Sequence, residues 1–344
     1  MSKTHIYTSM DEFRAHINIA PFSLSDVSEG SWTRWPRADR SSRDRACYLR
    51  KYPDGFVFGG NWETGRIGLY SSSGRCRPND RNRLIIESAM ADHDLERAKQ
   101  EAARKQDART MCERFFQSGI TTRLMAHDAA NPYLMRKGLG AVDANLWRCR
   151  AEDASRFMAE HLGEPGYRLW GSRGKPLAGD CLVVPLSQPV GDVINGIQLI
   201  DETGNKTILR GSVMSGNGWY AHPDDVYRRA RRIGVGEGVA TVLTVNRVFD
   251  LPVVAAMSCT NLKAVALEVK RTYPMAHLVI LSDRDKSGAG QKKAQEAAQA
   301  VGGAMTFPTW TKEDEIRHPS LVENPPTDFN DYYLAIGLLQ EVNK

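Results

Sequence analysis

The sequence predicts an α/β protein. Its C-terminal part reads as a parallel sheet with helices on both faces, preceded by a mixed α+β basic subdomain and a small strand-rich N-terminal module. Three observations predict this. From Ile233 onward short apolar runs alternate with helical segments: "RRIGVGEG" then "VATVLTVNRVF", "PVVAAMS" then "NLKAVALEVKRTY", "HLVILSD" then "AGQKKAQEAAQAV". That βαβαβα order implies parallel strands joined by crossover helices. Residues 84–118 contain neither Gly nor Pro and are rich in Ala, Glu, Lys and Gln, so they read as one or two connecting helices. The segments on either side show the alternation and turn residues of strands.

In chain order, residues 1–83 form the strand-rich module, where "CYLRKYPDGFVFGGNWETGRIGLYSS" turns at Asp54-Gly55 and Gly59-Gly60. Residues 84–125 are the helical connector. Residues 126–230 are the basic α+β subdomain, with a meander expected over "CLVVPLSQPVGDVINGIQLIDETGNKTILRG" and turns at Gly191 and Gly204. Residues 231–344 are the parallel-sheet domain.

At 344 residues with 41% apolar content, the chain can bury the cores of two domains. No run of 18 apolar residues occurs, which excludes a helical membrane span. The opening "MSKTHIYTSMDEF" lacks the apolar core of a secretory signal, so a cytoplasmic protein is expected. The six cysteines are scattered without a CxxC pair, against both a disulfide framework and a zinc site. A net charge of +5 says little by itself, whereas the clustering of arginines says more. The eight histidines show no metal-ligand spacing.

The chemistry is expected at the carboxyl ends of the strands, where the loops of an open α/β sheet line a shared crevice. Glu237 closes the first strand of the series, and Asp283 and Asp285 close the third. Acidic side chains gathered at one edge suit a hard divalent cation that keeps waters and also takes phosphate oxygens. Gly288 and Gly290 leave room for a turn into a helix whose N-terminus favours anions. Asp and Gly after a strand also serve as turn and cap residues, and for this pair alone that reading stays open.

"GEGVATVLTV", "SDRDKSGAGQKKAQEAA" and "TDFND", in this order, resemble the Toprim domain of bacterial-type primases, topoisomerases and related nucleases. Within it, "DFND" resembles the third acidic motif of phage and plasmid primases, which adds one or both of Asp328 and Asp331 to the implied metal set. Upstream, "NPYLMRKGLG" and "LVVPLSQPVGDVINGIQLIDETGNKTILRGS" resemble the basic subdomain that precedes Toprim in primases of mobile elements. "SEGSWTRWPRADRS" resembles their leader module more loosely. The chain departs from the cellular type in having no zinc ribbon, and it has no GxxxxGK[ST] loop, so no fused helicase is expected.

The resemblance implies a DNA primase that makes short RNA primers on single-stranded DNA in a bacterial host, for a phage, plasmid or other mobile element. Magnesium or manganese would sit among Glu237, Asp283, Asp285, Asp328 and Asp331, with Glu237 either a ligand or the acceptor of the 3′-hydroxyl proton. Lys137, Lys206, Arg210 and Lys263 are the candidates for nucleotide or template. Partners would be the template, ribonucleoside triphosphates and a separate replicative helicase. The stretch "SWTRWPRADRSSRDRACYLRKY" interleaves cations with aromatic rings, as single-strand grips do. Arg34, Trp35, Arg37, Arg40 and Arg43 are its candidates, against the alternative that the tryptophans belong to the module's core. Two other functions compete: a Toprim protein that binds single strands without polymerising, and a Toprim nuclease.

Overall fold

The computed structural model describes residues 5–52, 55–71, 80–125, 131–190, 193–284 and 288–341. The expected turn residues Asp54 and Gly191 lie outside the described residues. The chain forms two compact units, Met1–Glu101 and Ala102–Lys344.

The first unit is built from β1 (His5–Tyr7), α1 (Met10–Ile17), β2 (Thr33–Trp35), β3 (Cys47–Lys51), β4 (Phe56–Asn61) and β5 (Ile67–Ser71). They make one sheet in the order β1-β5-β4-β3-β2, antiparallel except for β1 beside β5. Ser9 caps α1 by accepting the Glu12 N–H, and Phe13 and Ile17 face the sheet, where they join Leu49 and Val57 in a core. Helix α2 (Asp80–Gln117) is a single unbroken element of 38 residues, and the boundary between the units falls inside it.

The second unit opens with β6 (Thr122–Arg123), α3 (Pro132–Arg136), β7 (Trp147–Arg150), α4 (Ala151–Leu162), β8 (Asp180–Ser187), β9 (Ile194–Ile200) and β10 (Lys206–Ile208). These strands form an antiparallel sheet in the order β10-β9-β8-β7-β6. β11 (Trp219–Tyr220) leaves that sheet and pairs antiparallel with a strand of the next one. After α5 (Asp224–Arg229) come β12 (Arg232–Gly236), α6 (Val239–Phe249), β13 (Val253–Ala255), α7 (Cys259–Thr272), β14 (His277–Leu281), α8 (Ala289–Val301) and β15 (Ala304–Thr306). Short helices α9 (Lys312–Arg317), α10 (Ser320–Glu323), α11 (Phe329–Ala335) and α12 (Leu338–Glu341) complete the described chain.

The second sheet has the order β11-β13-β12-β14-β15, with β12 to β15 parallel. Its central strands β12, β13 and β14 are largely buried, which is why they read as short apolar runs, whereas the edge strand β15 is not buried. Helix α6 and Phe329 and Tyr333 of α11 share one core with Leu182, Val184 and Leu186 of β8, so the antiparallel sheet packs on that face. Helices α7 and α8 cover the other face. A Cβ on Gly236 would stand 2.8 Å from a Val242 methyl, so the tip of β12 needs glycine for α6 to lie this close.

Candidate active site

The carboxyl edge of the parallel sheet gathers the acids. Glu237 follows β12 directly, and its carbonyl accepts the Met257 N–H at 2.9 Å, just beyond β13. Asp283 lies two residues past β14. The Arg284 N–H donates to the Thr327 carbonyl at 2.6 Å, which ties this strand tip to the start of α11. There Asp328 caps the helix: one oxygen accepts the Asp331 N–H at 2.8 Å and the other the Thr241 hydroxyl at 3.2 Å. Asp285 lies outside the described residues.

Burial, with Asp328 and then Glu237 nearby, raises the Asp283 carboxyl to about 7, and Lys206 opposes the shift. Like charges confined together resist joint ionisation. Burial, followed by the charge of Asp331, also raises Asp328. The Asp283 Oδ1 is buried and has no hydrogen-bond partner among the described residues. An all-oxygen acidic set with an orphaned buried oxygen fits a hard cation, which keeps several waters and needs only one or two carboxylates. Among the described residues no three His, Cys, Asp or Glu side chains close on one point as a complete cage.

Asp331, the other acid of the "DFND" motif, is paired with a cation. Its Oδ1 accepts from Lys137 Nζ at 3.1 Å, and its Oδ2 from the Thr327 hydroxyl at 3.1 Å. Lys137 and Lys206 both border a cavity of about 320 Å³ that Arg136, Arg173, Gln198 and Gly238 also line. Gly238 is the N-cap of α6, whose first turn has no side-chain cap, so its N–H groups add to four cations on the wall. The cavity suits phosphates. Arg136 and Arg173 escaped the sequence reading; the only hint was that Arg136 precedes Lys137.

Asn330 was missed as well. It is fully buried, and its amide donates to the Lys137 carbonyl at 2.8 Å and to the Thr244 hydroxyl at 2.9 Å. Two of the basic candidates are not brought to this place. Arg210 is exposed and pairs with Glu164 at 2.7 Å. Lys263 is exposed on α7; the Glu296 carboxyl of α8 is lowered first by Lys293 and also by Lys263.

Residues 232–337 match the family model described as Toprim domain. This part of the chain is a Toprim domain. The acidic edge and α11 belong to it, while Arg136 and Lys137 come from the end of α3, Arg173 from a hairpin and Lys206 from β10, all before residue 232. Two curated relatives, both DNA primase TraC of Escherichia coli, are 31% and 29% identical over 146 residues. Each alignment covers 40% of this chain and 14% or 10% of the relative, so the chain matches a small part of their length. Among solved structures, the Aquifex aeolicus primase (zinc-binding and RNA polymerase domains) overlaps 98% of this chain and 84% of its own, at 14% identity and a TM-score of 0.41. The primase DnaG catalytic domain bound to single-stranded DNA overlaps 69% and 82%, at 12% identity and a TM-score of 0.40.

In the first unit the Arg/aromatic candidates separate. Trp35 donates its indole N–H to the Pro21 carbonyl at 3.3 Å and packs against the α1 core. Arg37 is 6% exposed and is held by Asp44, Asp39 and Glu63. Arg34 lies over the Trp62 ring at 4.9 Å and donates to Gln100 at 2.9 Å. Arg40 and Arg43 are exposed.

Proposed function

We propose that this chain is a DNA primase, a nucleotidyltransferase that makes short RNA on single-stranded DNA for a mobile element. One observation carries the reading most: the buried, unpartnered oxygen of Asp283 lies within reach of Glu237 and Asp328, and Lys206, whose charge acts on Asp283, lines a cationic cavity suited to phosphates. The similarity of the Toprim domain to plasmid primases supports it.

Asp283 and Glu237, with Asp285, would hold magnesium or manganese, and Asp328 would complete the negative field. When bound, the cation neutralises triphosphate charge and orients the in-line displacement. Lys206, Arg136 and Arg173 would bind the triphosphate in the cavity, with Lys137 aimed by Asp331. Where Glu237 is not itself a ligand, it would instead accept the proton of the attacking 3′-hydroxyl. Exposed Arg40 and Arg43 are the residues of the leader proposed to follow a DNA backbone.

The test combines the purified chain, single-stranded DNA, labelled ribonucleotides and magnesium or manganese. Short RNA that requires all three components is expected. No product over a broad set of template sequences with manganese present would leave only a binding protein. Shortening of the template would identify a nuclease.

A further inference from the structure

The hairpin "RLWGSRGK", Arg168 to Lys175, borders the cationic cavity through Ser172 and Arg173 and carries no acidic residue. It is a built element. Asn205, 2% exposed, accepts the Arg173 N–H at 3.0 Å and donates to the Lys175 carbonyl at 3.0 Å. The Ser172 N–H donates to the Lys206 carbonyl at 2.8 Å, so the hairpin is bonded to the strand that supplies a cavity lysine. A Cβ on Gly171 would fall 2.1 Å from the Asn205 side chain, which holds the two in direct apposition.

At its base the side chains split to opposite sides. Leu169 and Leu177 are buried in the core formed with α4, and the Leu177 N–H donates to the Leu169 carbonyl at 2.8 Å. Trp170, bridged to Pro176, goes the other way and is 60% exposed. Single exposed apolar residues are common and by themselves mean little. This one sits on a pinned hairpin between exposed Arg168, Arg173 and Lys175, beside a phosphate-sized cavity. An aromatic face flanked by cations on a rigid support is what a base and its adjoining phosphates require.

We infer that Trp170 is a stacking platform for one base of single-stranded nucleic acid, with Arg168 and Lys175 on the neighbouring phosphates. The strand is the template or the nascent RNA as it leaves the cavity. The inference rests on the primase reading for its substrate class. Binding is measured without synthesis, however, so a chain that stacks bases yet makes no RNA would lose that reading and keep this site.

The experiment uses the full chain carrying Arg40→Ala and Arg43→Ala, so that the leader does not mask the result. Affinity is measured for a DNA strand, an RNA strand of the same sequence, and the DNA strand with abasic positions. Trp170→Ala should weaken binding to a base-bearing strand about 5- to 150-fold, equivalent to ~1–3 kcal/mol for one stacked base. Trp170→Phe should retain most of the affinity, and the abasic strand should not distinguish the variants. Loss on DNA identifies the template and loss on RNA the product. Because the indole is exposed, the melting temperature should not move. Unchanged affinity for both base-bearing strands, or an equal loss on the abasic one, would overturn the inference.

Discussion

Asp283 carries the sharpest single-residue consequence. Its carboxyl is raised from 3.8 to about 7 by burial and by Asp328 and Glu237. A group raised in the folded state stabilises the fold below its unfolded value, and that contribution disappears as pH rises through the folded one. The metal-free protein should therefore lose stability on this account between about pH 4 and about pH 7. Asp283→Asn should melt higher than the parent at about pH 8 in a chelator, with the gap closing toward about pH 4. Thermal unfolding across that range checks it. The same variant should abolish RNA synthesis while remaining folded and should no longer gain stability from added magnesium.

At the scale of elements, α11 works as a clamp. Its N-cap Asp328 meets α6 through Thr241, Asn330 holds the Lys137 main chain, and Asp331 holds the Lys137 side chain. Asn330→Ala strips buried hydrogen bonds and should cost ~1–3 kcal/mol of stability. It should also lower synthesis more than DNA affinity, because Lys137 loses its support while Arg40 and Arg43 are untouched. Urea unfolding and a dinucleotide assay, run side by side, separate the two effects. The turn between β9 and β10 makes a second prediction. Gly204 has φ +80°, and a Cβ there would meet the Arg136 guanidinium at 2.4 Å. Gly204→Ala should cost about 1 kcal/mol and displace Arg136 from the cavity wall. The readout is a raised KM for ribonucleotides with the fold retained.

Over the whole molecule, basic residues that look alike in sequence have different surroundings. Arg40 and Arg43 are exposed, whereas Arg37 is enclosed by three carboxylates. Replacing Arg40 and Arg43 with Ala should reduce the salt slope of single-strand binding by about 0.7 per arginine, since each neutralised phosphate releases counterion. Arg37→Ala should instead lower unfolding stability and leave that slope unchanged, because a side chain already paired within the fold neutralises no phosphate and so releases no counterion. Filter binding at several salt concentrations, with a melting curve for each variant, gives the answer.

The parallel sheet was legible because doubly buried strands read as apolar runs and because acids at strand ends fall at one edge whatever the helices between them do. Glu237 and Asp283 followed from that rule alone. Asp328 and Asp331 followed from resemblance, yet Asp331 turned out to hold Lys137, a residue 194 positions away. No local pattern encodes such a pairing. Nor could the sequence show that β11 would leave the antiparallel meander, since two residues carry almost no periodicity and the choice rests on Trp219 entering the shared core. Trp35 and Arg37 looked like a grip and became packing, while Arg136, Arg173, Asn330 and Trp170 drew no notice. Chain order and strand type are properties of short windows, and the sequence by itself determined them. Which cation meets which acid, and which aromatic ring stays outside the core, depends on how layers far apart in sequence stack, and only the tertiary structure decided that.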